Sequence, residues 1–297
     1  MLLFSGSANR PLAEKIASIL NIKLSKVNIS QFSDSECQIV IEENVLDEDV
    51  FIIQPTCTPA NNHILELCLM ANAIASNGAS SITAVMPYFG YAREATSAQT
   101  IVNMLRGAGI TKILTLDLHA EIAACDIPII TTSANKLFLT HLATQNIANA
   151  VIVAPDLGGI DRARKFARQC NTDLVILEKS REQGCKIINM LGEVAGKNCI
   201  IIDDIIDTGR TIAAAAQALK SRGAQDIYAF CSHAVLSDGA LARVAQSACK
   251  SITITDSIMM KQQPHPTSLQ IQQLSIASLL SKQLVHQLAC CGEVPAR

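Results

Sequence analysis

Three carboxylates, two threonines and a glycine fall within the nine residues Asp203-Asp204-Ile205-Ile206-Asp207-Thr208-Gly209-Arg210-Thr211. The apolar run Ile200-Ile201-Ile202 reads as a buried strand ending in the acid pair, and the alanine-rich run after Thr211 reads as a helix. A helix start offers backbone N–H groups without intrahelical partners and the positive end of the helix dipole, so a phosphate could settle on Thr208, Gly209 and Thr211. Asp203, Asp204 and Asp207 would repel that phosphate unless they held something else. Two vicinal ribose hydroxyls or a magnesium ion would suit them, because carboxylates accept hydrogen bonds from diols and supply hard oxygen ligands. The plainer reading, a strand end and a helix cap, needs one capping side chain and leaves the other carboxylates unexplained.

Three other strand ends carry candidate chemistry. Val151-Ile152-Val153-Ala154 leads into Pro155-Asp156-Leu157-Gly158-Gly159 and a helix bearing Arg162, Arg164 and Lys165. There Asp156 could hold a metal ion or simply cap the helix, while the glycines admit a ligand to the backbone or form a bend. Ile113-Leu114-Thr115-Leu116 leads into Asp117-Leu118-His119-Ala120-Glu121, where His119 could ligate magnesium, contact phosphate or be structural. Met86-Pro87-Tyr88-Phe89-Gly90-Tyr91-Ala92-Arg93 sets aromatics ahead of an arginine, which suits a nucleotide base and its phosphates or a packed turn. Ligands of parallel sheets bind outside the carboxyl ends of the strands, which is where all four segments lie.

The elements that must position them alternate. Strands are expected at 1–4, 37–41, 50–53, 82–86, 112–116, 151–154, 174–177, 199–202, 227–230 and 252–254. Helices are expected at 10–20, 62–76, 97–107, 135–143, 159–169, 208–222 and 238–246, and again at 276–289. The alternation predicts an α/β fold with mostly parallel sheets flanked by helices. The polar, proline-bearing 261–267 reads as an exposed loop, and His265 and His286 as solvated or structural.

Composition narrows the class. At 297 residues with 49% apolar content the chain can fill two cores. A net charge of −2 with no tryptophan and few aromatics argues against nucleic-acid binding. Eleven scattered cysteines without metal-ligand spacing, including the adjacent Cys290 and Cys291, read as reduced thiols of a cytoplasmic protein. The first residues have neither a basic start nor a long apolar run, so no secretion signal or membrane span is expected.

The 203–211 run resembles the phosphoribosyl-binding loop of type I phosphoribosyltransferases and ribose-phosphate pyrophosphokinases. The wider set is similar to the latter family, in order, over about residues 1–260: Gln31-Phe32-Ser33-Asp34-Ser35-Glu36, Glu43-Asn44-Val45, 87–93, 117–121, 155–159 and 203–211. The resemblance implies two phosphoribosyltransferase-like domains, at 1–138 and 139–275, with 276–297 a helix packing back on the first. It implies transfer of the β,γ-pyrophosphoryl group of Mg-ATP to the 1-hydroxyl of ribose 5-phosphate, giving phosphoribosyl pyrophosphate and AMP. It also implies a homo-oligomer, a hexamer or its dimer building block. By the same resemblance Asp203, Asp204 and Asp207 to Thr211, with Arg210, bind ribose 5-phosphate. His119 and Asp156 bind magnesium, and Phe32, Asp34 and Glu36 of a neighbouring copy frame the adenine. Arg93 reaches the ATP phosphates beside Glu94, and Lys179 and Arg181 act in catalysis.

The chain departs from the family pattern at several places. Arg210 stands at a usually small position, Gln31 replaces an arginine, and Ser35 replaces a glycine. Glu178-Lys179-Ser180-Arg181 lacks the middle arginine of Lys-Arg-Arg. After Arg93, Glu94-Ala95-Thr96-Ser97 replaces a basic loop and puts a carboxylate where ATP's charge is expected. Three readings fit this pattern: an active divergent synthetase, a non-catalytic synthetase-like regulatory subunit, or a phosphoribosyltransferase. Retained Lys179, Arg181, His119 and Asp156 favour the first; loss of the basic loop favours the second.

Overall fold

The computed structural model describes residues 1–122, 125–180, 186–260 and 266–291. The chain divides into two compact units, one of Met1–Thr132, Ser257–Met259 and Ser275–Arg297, the other of Ser133–Asp256 and Met260–Leu274.

The first unit contains β1 (Leu2–Ser5), α1 (Arg10–Ile19), β2 (Val27–Gln31), β3 (Cys37–Ile41), β4 (Asp49–Ile53), α2 (Ala60–Ser76), β5 (Ser81–Met86), α3 (Ala95–Gly107), β6 (Lys112–Leu116) and β7 (Ile129–Thr132). Its sheet runs β1-β4-β5-β6-β7, every pairing parallel. Apolar runs such as Val50-Phe51-Ile52-Ile53 are buried throughout, as a parallel sheet covered on both faces demands. Strands β2 and β3 form a separate antiparallel hairpin, packed by Val27, Ile29, Ile39 and Ile41 onto the core beneath.

The second unit contains α4 (Asn135–Thr144), β8 (Ala150–Ala154), a single 3₁₀ turn (Leu157–Gly159), α5 (Ile160–Cys170), β9 (Leu174–Ser180), β10 (Lys186–Leu191), β11 (Asn198–Ile206), α6 (Arg210–Ser221), β12 (Ile227–Ala234), α7 (Ala240–Ala245), β13 (Ser251–Thr255) and β14 (Gln270–Leu274). Its sheet runs β10-β9-β8-β11-β12-β13-β14, parallel except for the β9–β10 hairpin. Helix α5 buries Ala163, Phe166 and Ala167, and α6 buries Ile212, Ala215, Ala216 and Leu219. Each set has the i, i+3, i+4 spacing of a helix with one apolar face.

The last helix, α8 (Ala277–Cys291), returns to the first unit and packs on α1, and Lys112 Nζ at the start of β6 donates to its Gln287 Oε1 at 3.0 Å. The first unit closes at Thr132, where the sequence reading sets the boundary at 138.

The expected α/β class with parallel sheets is what the chain adopts. Four strands were not anticipated: β2, β7, β10 and β14. All lie at sheet edges or in the hairpin, and stretches such as Gln270-Ile271-Gln272-Gln273-Leu274 are too polar to read as buried strands. Strand β11 continues through the acid pair to Ile206 instead of ending at 202, because Ile205 and Ile206 keep pairing with His233 and Ala234. The loop expected at 261–267 lies largely outside the described residues.

Candidate functional site

The turn after β11 is built around one glycine. Gly209 has φ +73°, and a Cβ there would lie 2.9 Å from the Ala240 carbonyl oxygen and from Val244. Both the backbone and the space therefore require glycine. The turn is tied to the segment leading into α7: Leu236 N donates to Ile206 O at 3.0 Å and Ser237 N to Asp207 O at 3.1 Å. The Ser237 hydroxyl bonds the Asp207 carboxylate, and Arg243 donates to the Thr208 carbonyl oxygen. Helix α6 starts at Arg210 without a side-chain cap, and Arg210 points into solvent. The N-cap position is Gly209 itself, so no side chain at that position caps α6, and an uncapped helix start of this kind favours an anion.

Asp203 and Asp204 sit inside β11. The Asp204 side chain is 4% exposed and receives Arg162 from α5, Nη2 to Oδ2 at 2.8 Å; Arg162 Nη1 lies 3.7 Å from Asp203 Oδ1. Asp203 Oδ1 also accepts from the Asp204 N–H at 3.0 Å. Burial and the adjacent Asp204 charge push the Asp203 carboxyl well above the usual carboxylate range, with Arg162 only partly opposing them. On the neighbouring strand, burial and these two carboxylates push up the Cys231 thiol as well, so Cys231 is a neutral core residue and no nucleophile.

Asp156 ends β8. Its Oδ1 caps the following turn, accepting from Gly159 N at 3.0 Å, and its Oδ2 is 2.5 Å from Lys179 Nζ. Burial alone would raise the Asp156 carboxyl, but the hydrogen bond and charge of Lys179, with the Gly159 N–H, bring it below its ordinary value. The capping reading of Asp156 thus holds on Oδ1, while Oδ2 is engaged by Lys179. Gly158 and Gly159 have no positive φ, and a Cβ at either would make only ordinary contacts. Lys179 also donates to Thr211 Oγ1 at 3.3 Å, linking β9 to the first turn of α6. It lies on β9, paired with Ile187 of β10, past residue 177 where the sequence reading ends that strand. Arg181 lies outside the described residues.

The second unit thus holds two contact groups, Asp156–Lys179–Thr211 and Arg162–Asp203–Asp204, with Asp156 close enough to the acid pair for their charges to act on one another. Arg162 went unassigned in the sequence, although a signal was present. Positions 162, 163, 166 and 167 form one helical stripe whose other members are buried, whereas Arg164 and Lys165 lie on the exposed side.

The remaining candidates belong to the first unit. Phe32, Asp34 and Glu36 occupy the exposed turn of the β2–β3 hairpin; Phe32 is 51% exposed. The turn is closed by Phe32 N to Glu36 O at 2.9 Å and Glu36 N to Asp34 Oδ1 at 3.1 Å. Ser35, at the usual glycine position, has φ +72°. Of the aromatics before Arg93, Tyr88 and Phe89 are buried, so they form a packed turn; Tyr91 is exposed and bonds Asn61. Arg93 and His119 are exposed, His119 just beyond β6. Glu94 caps α3, accepting from Thr96 N at 3.0 Å and Ser97 N at 2.6 Å, and these hydrogen bonds hold its carboxyl down at about 2. No loop intervenes between Arg93 and α3.

Every cysteine whose side chain is described is unbridged, and burial pushes Cys199 to about 11 and Cys249 to about 12. Among the described residues no helix is long and apolar enough to cross a membrane, and no cluster of three or more His, Cys, Asp or Glu side chains could cage a metal by itself. A magnesium ion that arrives on phosphate oxygens needs only one or two protein ligands.

A mostly parallel sheet with an acid pair in a central strand, followed by a glycine turn and a helix start, is an α/β arrangement suited to a phosphoribosyl group. The comparisons with known proteins carry this further. Residues 1–115 match the N-terminal domain of ribose phosphate pyrophosphokinase, and residues 176–288 match the phosphoribosyl synthetase-associated domain. The ribose-phosphate pyrophosphokinase of Ralstonia nicotianae is 43% identical over 95% of this chain and 93% of its own length. That of Helicobacter hepaticus is 42% identical over 94% of this chain and 93% of its own. The crystal structure of phosphoribosylpyrophosphate synthetase from Mycobacterium smegmatis superposes with a TM-score of 0.89 at 30% identity, covering 97% of this chain and 98% of that one. The chain belongs to the ribose-phosphate pyrophosphokinase family.

Proposed function

We propose that this protein is a working ribose-phosphate diphosphokinase. The 1-hydroxyl oxygen of its substrate, ribose 5-phosphate, attacks the β-phosphorus of ATP and gives up its proton to solvent; the bond from that phosphorus to the α,β-bridging oxygen breaks, and AMP leaves with the bridging oxygen. The observation that carries the reading is the convergence of Lys179, Asp156 and Thr211 beside the acid pair, within a chain matched along its length by synthetases.

The roles follow from charge and geometry. The 5-phosphate sits on the Thr208–Thr211 turn, where the α6 N–H groups and hydroxyls receive it, with Arg210 at the rim. Asp203 and Asp204 accept the ring hydroxyls. Lys179, together with Arg181, neutralises charge developing on the transferring group, an effect worth ~3 kcal/mol or more, or on the order of a hundredfold in rate. Magnesium, when bound, shields the ATP phosphates; His119 and Asp156 are its proposed protein ligands. On the nucleotide side, Arg93 contacts phosphate, and Phe32, Asp34 and Glu36 serve the adenine of a neighbouring copy in a homo-oligomer. Glu94 is committed to capping α3, and its charge stays clear of ATP as long as the cap holds. Use of free ATP and a free sugar phosphate supports a cytoplasmic setting.

The test is incubation of the protein with ribose 5-phosphate, Mg-ATP and phosphate, with chromatography of the products. Equimolar AMP and phosphoribosyl pyrophosphate are expected. Neither product, with ribose 5-phosphate binding intact by calorimetry, would instead select the regulatory subunit.

A further inference from the structure

We infer that Arg162 is a positioning residue for ribose 5-phosphate, holding the Asp203–Asp204 pair in the arrangement that receives the ring hydroxyls. The inference rests on the proposed synthetase reading and adds to it a residue that touches no substrate.

Neighbouring residues of a strand direct their side chains to opposite faces, so an adjacent acid pair is not by default a two-pronged acceptor. In β11 a single guanidinium reaches both carboxylates, at 2.8 Å to Asp204 Oδ2 and 3.7 Å to Asp203 Oδ1. The fork of an arginine can span two acceptors in this way, and a lysine ammonium cannot match its geometry. Asp203 meets both Arg162 and the Asp204 N–H through Oδ1, which leaves Oδ2 as the oxygen outside these two contacts.

The contact is also well placed to last. The Arg162 side chain is 22% exposed, Asp203 14% and Asp204 4%, so solvent screens the group weakly. Arg162 sits in the first turn of α5, just after the 3₁₀ turn that Asp156 caps at Gly159. One helix therefore carries the brace for the acid pair and abuts the turn that presents Asp156. Among the described residues Arg164 of the same helix pairs with exposed Asp161, at 2.9 Å.

The experiment measures steady-state kinetics for the wild type, Arg162→Gln and Arg162→Lys, with thermal melts alongside. Arg162→Gln should raise KM for ribose 5-phosphate about tenfold or more while KM for ATP moves less than about twofold, because a hydrogen bond to a charged partner is lost on the sugar side alone. Arg162→Lys, which keeps the charge but loses the fork, should fall between the two. If the Gln variant does not fold, the Lys variant carries the same comparison. Equal shifts in both KM values, or an unchanged KM for ribose 5-phosphate in a folded variant, would overturn the role of Arg162. A wild type without activity would overturn the synthetase reading instead, so the two failures are distinct.

Discussion

Lys179 Nζ lies 2.5 Å from Asp156 Oδ2 and 3.3 Å from Thr211 Oγ1, so the end of β9 is bonded both to the turn that leads into α5 and to the first turn of α6. A lysine left on a solvated loop would make neither contact. Lys179→Ala should lower kcat about a hundredfold or more with KM for ribose 5-phosphate little changed, since it removes charge stabilisation and not sugar contacts. Initial-rate kinetics over both substrates check this; an equal rise in KM with kcat intact would assign Lys179 to binding alone.

Asp203 sets function against stability. Its carboxyl takes up a proton more readily in the folded chain than in the unfolded one. The folded state therefore gains stability below the ordinary carboxylate range and loses it as pH rises through the raised value. Asp203→Asn should melt roughly 2–4 °C higher than wild type at pH 7, with the gap closing toward pH 4, while ribose 5-phosphate binding weakens. Thermal melts at the two pH values, with calorimetry of the sugar phosphate, test the pair of effects.

At Gly209 no other residue fits. Gly209→Ala would incur roughly 1–2 kcal/mol for the left-handed backbone and would also push on the Ala240 carbonyl and Val244. The expected outcome is a destabilised chain whose ribose 5-phosphate affinity falls further than its melting temperature alone would explain. Denaturant unfolding and calorimetry on the same sample separate the two.

Glu94 should behave as a helix cap in acid. Its carboxyl is held at about 2 against an ordinary 4.5, so its contribution is present above 4.5 and fades as pH falls toward 2. Glu94→Ala should lower the melting temperature at pH 7, and the difference from wild type should shrink across that window. A constant difference from pH 7 to pH 2 would mean that the cap does not depend on the charge. If Glu94 also opposed ATP, the same variant would show a lower KM for ATP; a cap alone predicts none.

Much of the fold was legible because buried parallel strands announce themselves as β-branched runs. Ile200-Ile201-Ile202 and Val151-Ile152-Val153 could be little else. The edges were not legible: β14 spends three of its five residues on glutamine, and β10 follows a segment that reads as a charged loop. The 203–211 motif stood out by residue type, yet its working parts are tertiary. That Ser237 and Arg243 anchor the turn, and that Arg162 spans two carboxylates, depends on β11 lying beside β12 and under α5. The aromatics at 88–91 show the opposite case, where a suggestive cluster resolves into two core residues and one exposed tyrosine.

The most direct test follows the phosphorus. ATP labelled at the β-position is incubated with ribose 5-phosphate, magnesium and the wild-type chain, and the label is traced by chromatography. The account predicts all transferred label in phosphoribosyl pyrophosphate, with unlabelled AMP released in equal amount. Label retained in ADP, or no transfer from ATP at all, would contradict it.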